Sequence, residues 1–246
     1  MRFSKLIFLH LIFLFLFCCN QVYDERKKVI FFQNKKASWI QDKKNLPRSD
    51  AEFYLDDPAP LFRKNFFLED FPRKATLHIT AAGYYRGSIN GFDLEKNILD
   101  PIWTDYSKRI YYSEYDITSK LIKGMNCLGV TLGNGFYNPL PLKMWGRINL
   151  RESLTVGKPR FIAKITVTHQ SGKKEEIVSD NSWKYNYGPI LKNSVYLGTH
   201  YDARKEIHNW KQADFDDTFW ENVIFASPPG GRLQKAFFSP IQINRA

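Results

Sequence analysis

The side chains in this chain best suited to binding chemistry are aromatic rings and a guanidinium group in irregular segments. The face of a pyranose ring is apolar and packs against aromatic rings, while a guanidinium group donates hydrogen bonds to hydroxyl oxygens. Five residues in segments rich in Gly, Pro, Asn and Asp are predicted to contact carbohydrate: Trp103, Tyr106, Tyr137, Trp145 and Arg147. The alternative is that some of these rings fill the core, because aromatic residues make up 16% of the chain.

Catalysis would require more than this set. A glycosidase needs two carboxyl groups about 5–9.5 Å apart across a cleft, and no motif in the sequence marks such a pair. The histidines lack metal-site spacing, and no Gly-rich phosphate loop occurs. We therefore predict no catalytic residue and no cofactor. A structural calcium ion remains open, because Asp100 and Asp105 could supply oxygen ligands from edge loops.

Short segments of alternating polar and apolar residues must position these side chains. Residues 75–81, 111–117, 161–168 and 183–187 alternate with period two. Half-buried strands separated by Gly, Pro, Asn and Asp turns are typical of an antiparallel sandwich. The fold class predicted is all-β, a jelly-roll β-sandwich.

Local signals predict how several segments connect. Asn90-Gly91 favours a tight turn with positive φ, and residues 170–173 favour a hairpin turn. One short helix is expected over Thr118–Lys123. Trp220 is expected in a closing strand, packed against the sheet that contains residues 161–168.

The first residues have the pattern of an export signal. Arg2 and Lys5 precede an apolar run that ends at Phe17, shorter than the roughly 20 residues of a spanning helix. The run abuts Cys18 and Cys19, which predicts a lipoprotein-type signal over residues 1–19 with lipid attached to Cys19. The alternative is an ordinary secretory signal with incidental cysteines. Either reading predicts an exported protein: a cell-envelope lipoprotein, or a periplasmic or secreted one.

The distribution of charge argues against nucleic acid as a partner. Residues 1–50 carry ten Lys and Arg against four Asp and Glu, so +6 of the net charge of +11 lies there. The rest has no basic block interleaved with aromatics. Residues 20–50 are predicted to form a basic tether, which anionic lipid head groups would attract. Cys127, the remaining cysteine, is expected to be a small buried hydrophobe.

Several motifs carry a family resemblance. They are Tyr84–Gly91, Asp100–Tyr106, Arg109–Thr118, Leu132–Tyr137, Tyr196–Arg204 and Phe215–Trp220. Together they resemble the amino-terminal module of bacterial α-L-rhamnosidases, a galactose-binding-like sandwich, over residues 37–246. The corresponding family segment usually reads Gly-Glu-x-Tyr-Asp-Ala-Arg, and Thr199 stands here in the place of the Glu.

The resemblance implies that residues 51–246 form a non-catalytic, carbohydrate-associated accessory module of an exported α-L-rhamnosidase-like protein acting on plant-type glycans. The family's catalytic domain is expected to be an (α/α)₆ barrel, for which this mostly β chain has no room. The expected partners are a rhamnose-containing glycan and a missing or separately encoded catalytic domain. Two alternatives stay open: a truncated glycosidase fragment with a structural role, and a self-contained glycosidase.

Overall fold

The computed structural model describes residues 37–94, 97–238 and 241–242. Short strands dominate it, with a one-turn α-helix at Leu150–Ser153 and 3₁₀ turns at Ala51–Tyr54, Thr118–Lys120 and Ala203–Lys205. The strands are β1 (Ile40–Gln41), β2 (Pro60–Leu68), β3 (Pro72–Ala82), β4 (Tyr84–Ile89), β5 (Phe92–Asp93), β6 (Asn97–Ile98), β7 (Arg109–Asp116), β8 (Gly124–Gly133), β9 (Lys143–Met144), β10 (Ile148–Asn149), β11 (Arg160–His169), β12 (Lys174–Val178), β13 (Lys184–Tyr187), β14 (Ile190–Ser194), β15 (Gly198–Tyr201), β16 (Glu221–Asn222), β17 (Ile224–Phe225), β18 (Arg232–Lys235) and β19 (Ile241–Gln242).

The longer strands form two sheets. The first has the order β17-β1-β11-β3-β7-β18, with β12 also paired to β11, and the second has the order β16-β13-β2-β8-β4-β5. Three two-stranded pairs stand apart from them: β9 with β10, β14 with β15, and β6 with β19. The all-β sandwich predicted from the alternation is confirmed.

The core lies between the two sheets and follows the predicted alternation. On β3, Leu77 and Ile79 are fully buried and lie opposite Ile165 and Ala163 of β11. The ring of Phe62 on β2 meets that of Phe161 edge-on, with centroids 5.1 Å apart, and so joins the sheets. Such side chains contribute about 1.5–3 kcal/mol each when fully buried, which lets a chain of this size fold around one core.

One end of the sandwich, here called the turn end, consists of the short loops 69–71, 90–91, 117–123 and 170–173. Asn126, fully buried, closes it: its amide donates to the Ile122 and Gly124 carbonyls at 2.8 and 2.9 Å, and its oxygen accepts from Ile122 and Asn90.

The turn predictions at this end are largely confirmed. Asn90 and Gly91 have φ of 51° and 84°, and the 170–173 turn joins β11 to β12. The predicted helix is shorter than expected and ends at Lys120 as a 3₁₀ turn, because the following residues extend into β8.

The sandwich begins earlier than the predicted tether boundary. Ile40 is fully buried and pairs with both Phe161 and Phe225, so β1 lies inside the first sheet. The compact unit starts at Ala37, so residues 37–50 belong to the sandwich. The reason is that β1 lies between β17 and β11 in the first sheet. Cys19 and the predicted signal lie outside the described residues. No helix in the described part of the chain is long and apolar enough to cross a membrane.

A second, smaller apolar cluster lies on the outer face of the second sheet. Trp220 is buried there against Leu61 and Trp210, with the two indole rings stacked 6.0 Å apart. Its burial agrees with the sequence, but the predicted packing against the sheet of β11 is wrong. Trp220 precedes β16, and β16 pairs with β13 in the other sheet.

Residues 210–220, here called the covering segment, cover this face of the second sheet, and buried Arg63 holds them in place. Its guanidinium pairs with Asp217 and donates to the carbonyls of Trp210 at 3.0 Å and Gln212 at 2.8 Å. Asp216 caps the turn by accepting from the Thr218 amide, whereas Asp217 is the counter-ion of Arg63.

Candidate carbohydrate-binding end of the sandwich

The longer loops meet at the other end, here called the loop end. It comprises the loops 42–59, 99–108 and 134–157 together with the β14–β15 hairpin. The amide of Asn134 donates to the Asn193 side chain at 2.6 Å, and the Thr155 hydroxyl donates to Asp105 at 3.1 Å. These bonds join segments distant in sequence into one surface.

Three aromatic rings form a row on this surface. Trp103 is 42% exposed, and its ring centroid lies 5.2 Å from that of Phe136. The Phe136 ring in turn meets Tyr196, at the tip of the β14–β15 hairpin, with centroids 6.1 Å apart. This aromatic row, Trp103–Phe136–Tyr196, offers partly exposed rings of the kind that pack against sugar faces.

Tyr106 and Tyr137 lie beneath the surface. They are 1% and 4% exposed, and their rings meet edge-on with centroids 4.9 Å apart. The Tyr106 hydroxyl accepts from the Gly83 amide at 3.2 Å, and burial raises the pKa of this phenol well above its ordinary value. The structure therefore places both predicted residues under the loops, where they support the surface instead of being exposed on it.

Trp145 and Arg147 lie on a separate projection. Trp145 is 83% exposed at the turn between β9 and β10, and Arg147 is exposed on the same turn. Arg151 anchors the base of this projection by donating to Asn138 at 2.8 Å and lying 3.9 Å from the Phe53 ring centroid. Both residues are accessible, so their predicted contact with carbohydrate stays a prediction.

A groove of about 120 Å³ opens between the 3₁₀ turn Ala51–Tyr54, the loop after β8 and the hairpin. Apolar and amide side chains line it side by side, including Phe53, Leu140 and Leu197 with Asn134 and Asn193. Amide groups both donate to and accept from hydroxyls, so this lining could bind a sugar ring. The sequence did not predict this groove, because the residues that line it come from segments far apart in the chain.

The segment after the hairpin forms a compact turn. Asp202 accepts from the Arg204 guanidinium through two bonds of 2.8 Å, and that cation lowers the pKa of Asp202 to about 2. These bonds, together with the bond from the Arg204 amide to the Asp202 carboxylate, hold the turn within the Tyr-Asp-Ala-Arg segment.

Comparisons with known proteins identify the family. The family model described as "Alpha-L-rhamnosidase N-terminal domain" matches residues 71–245. The chain belongs to the α-L-rhamnosidase N-terminal domain family. An α-L-rhamnosidase of Alteromonas sp. (strain LOR) is 35% identical over 212 residues, which cover 84% of this chain and 22% of that protein.

Solved structures agree with this assignment. The α-L-rhamnosidase of Dictyoglumus thermophilum superimposes with a TM-score of 0.72 and 40% identity, covering 87% of this chain and 23% of that one. The Streptomyces avermitilis α-L-rhamnosidase complexed with L-rhamnose gives a TM-score of 0.71 and 30% identity, covering 77% and 18%. This rhamnosidase N-terminal domain thus spans about a fifth of the length of the relatives it matches.

Buried carboxylates in this rhamnosidase N-terminal domain are held by neighbouring side chains. Asp42 pairs with Lys158 at 2.6 Å and accepts from the Tyr187 hydroxyl at 2.8 Å. Asp100 accepts from the Tyr115 hydroxyl at 2.8 Å. These contacts give both carboxylates a structural role within the loop end.

An exposed carboxylate holds the turn that follows it. Hydrogen bonds from Ser107, and then Lys108, lower the pKa of Asp105 far below its ordinary value. Among the residues that the structure describes, no group of three or more His, Cys, Asp or Glu side chains could hold a metal ion.

Proposed function

We propose that this rhamnosidase N-terminal domain is a non-catalytic, carbohydrate-associated accessory module of an exported α-L-rhamnosidase-like protein that degrades rhamnose-containing plant-type glycans. The observation that carries the proposal is the aromatic row beside the amide-lined groove at the loop end. Family membership supplies the sugar class, because the relatives are named α-L-rhamnosidases.

The size of the groove bears on the ligand. Its 120 Å³ is well below the roughly 300–1,000 Å³ of sites for drug-sized molecules, so it suits one sugar residue of a longer glycan. Few contacts would be fully buried in such a site. We therefore expect affinities near the millimolar end, at about −4 to −5 kcal/mol.

Calorimetric titration with L-rhamnose and with rhamnogalacturonan fragments tests the proposal. The unaltered chain should release heat with at least one of them, and Trp103→Ala should weaken binding about tenfold by removing a stacking surface worth about 1.4 kcal/mol. Phe71→Ala is the matched control, because Phe71 is also exposed but lies at the turn end. Equal weakening by both variants, or no heat with any glycan, would contradict the proposal.

An aryl-rhamnoside assay on the same preparation tests the non-catalytic part. No turnover is expected, and clear turnover would favour a self-contained glycosidase. Absence of both turnover and glycan binding would favour a module with a purely structural role.

Lipid attachment at Cys19 is the localisation part of the proposal. It is supported by the apolar run that abuts Cys18 and Cys19. Cys19→Ala should move the expressed protein from the detergent phase to the aqueous phase, with Cys18→Ala as the control. Equal partitioning of all three forms would count against lipidation.

A further inference from the structure

Large apolar side chains protrude together at the turn end. Four of them are 45–60% exposed: Phe67, Phe71, Ile122 and Met125. Phe67 and Met125 lie opposite each other on β2 and β8. Between Ile122 and Met125, the Lys123 ammonium lies 6.0 Å from the Phe71 ring centroid. The four apolar residues, here called the turn-end patch, therefore form one surface, and contiguous exposed apolar surfaces mark interaction sites.

The rim of the turn-end patch is basic. Six Lys and Arg against four Asp and Glu occur in the segments that surround it, 69–74, 116–123 and 170–175. The exposed basic side chains there include Arg73, Lys74, Lys123 and Lys174. Two of the acidic side chains are already engaged, since Glu69 pairs with Lys173 at 3.0 Å and Asp70 accepts from backbone amides. The rim therefore carries an excess of positive charge.

This composition fits a lipid bilayer better than a protein partner. Lysine is depleted from protein interfaces, whereas it surrounds this patch. Exposed Phe rings beside Lys and Arg are the combination that holds peripheral proteins on bilayers. The rings enter the boundary between head groups and acyl chains, while the cations attract anionic lipids.

The direction of β1 is consistent with a bilayer at this end. Strand β11 begins at Arg160 at the loop end and finishes at His169 at the turn end. Because β1 is antiparallel to β11, with Ile40 opposite Phe161, β1 runs toward the loop end. The chain therefore enters the sandwich from the turn-end side of β1.

We propose that the turn-end patch docks on a bilayer whose head groups are anionic, with Phe71 and Ile122 entering the head-group region and Lys123 beside the lipid phosphates. The candidate glycan site at the opposite end of the sandwich then faces away from the bilayer. This proposal goes beyond the glycan function and does not depend on it.

Hydrogen exchange of the full 246-residue chain on vesicles tests the docking. The apolar run at residues 6–17 can itself enter a bilayer, so the readout must be local to the turn end. The two vesicle types are phosphatidylcholine alone and phosphatidylcholine mixed with an equal amount of phosphatidylglycerol. On the mixed vesicles, the amides of residues 69–71 and 122–125 should exchange at least about fivefold more slowly, which is the effect of one basic residue beside an anionic surface.

Two matched pairs of variants localise the effect. Phe71→Ala should remove most of the protection, whereas Phe225→Ala should leave it unchanged, because Phe225 is 57% exposed but lies beside β1 in the first sheet. Lys123→Gln should also remove most of it. Lys143→Gln is the control, since Lys143 is exposed at the loop end. All four variants should keep the thermal midpoint of the unaltered chain.

Three results would overturn the proposal. The first is equal exchange of the turn-end amides on the two vesicle types. The second is equal slowing of residues 99–108 at the loop end, which would mean adsorption without a preferred face. The third is sedimentation of the vesicle-free chain as a dimer that Phe71→Ala dissociates, which would make a second copy the partner.

The calorimetric titration with glycans separates this proposal from the carbohydrate role. Glycan binding together with an unprotected turn end would overturn membrane docking alone. A turn end protected on the mixed vesicles, without heat from any glycan, would overturn the carbohydrate role alone.

Discussion

The two ends of the sandwich use exposed apolar residues differently. At the turn end, Phe71 and Ile122 protrude from short loops that buried Asn126 closes with hydrogen bonds. At the loop end, Trp103 and Leu197 belong to long segments that form an aromatic row and line a groove. Exposure alone therefore does not mark a glycan-binding surface. The informative difference is the groove at the loop end, which has a concave lining of mixed apolar and polar residues.

The largest expected loss of stability comes from a substitution in the covering segment. Trp220→Ala should cost about 3–5 kcal/mol of unfolding free energy, because it removes a buried indole that stacks on Trp210 beside Leu61. Urea unfolding measures the loss. Phe219→Ala is the control, since Phe219 is 93% exposed, and its midpoint should stay at the value of the unaltered chain. An unchanged midpoint for Trp220→Ala would place that indole at the surface.

A smaller loss is expected at the turn end. Asn126→Ala should cost about 2–3 kcal/mol, because the Ile122 amide and two carbonyls lose their partners in a buried setting. Asn222→Ala provides the comparison, since Asn222 is exposed and its amide makes one bond of 3.2 Å. If the two variants unfold at the same urea concentration, the turn end is not closed by Asn126. The glycan binding that we propose for the loop end should survive either change.

The smallest effect concerns pH. Asp70 accepts from the Ser171 amide and then from the Phe71 amide, which lowers its pKa below the ordinary 3.8. Hydrogen bonds from Ser107, and then Lys108, lower the pKa of Asp105 further. A depressed folded-state pKa gives stability that is present above the unfolded pKa and lost as pH falls through the folded one.

Acidification should therefore loosen the 69–71 loop at the turn end before the 105–108 turn at the loop end. NMR titration of the two carboxyl carbons between about pH 1 and pH 5 measures the order. Both contributions are small, because both groups are accessible to water. If Asp105 is protonated at a higher pH than Asp70, the expected order is wrong.

Much of the fold could be predicted because its signals are local. The period-two alternation of residues 75–81 and 161–168 marks which side chains face the core, and burial of Leu77 and Ile165 follows from it. Asn90-Gly91 likewise needs only its own backbone preference to form a turn. The expected burial of Cys127 is also confirmed, but its thiol accepts from the Arg63 guanidinium at 3.6 Å.

The candidate site was predicted only in part. Trp103, Trp145 and Arg147 are accessible, whereas Tyr106 and Tyr137 are buried, although all were selected by the same reasoning about residue type. Residue type states what a ring can bind but not how deep it lies. Depth depends on which loops cross above the ring, and those loops come from distant parts of the chain.

The sequence by itself determined the all-β class, the turn positions and the rhamnosidase family, because periodicity, turn chemistry and motifs are properties of consecutive residues. The tertiary structure decided that β1 completes the first sheet, that Trp220 packs on the second, and that Asn134 meets Asn193 beside a groove. Each of these depends on pairing between segments far apart in the chain. Such pairing is selected by the packing of the whole sandwich, since no local preference distinguishes one partner strand from another.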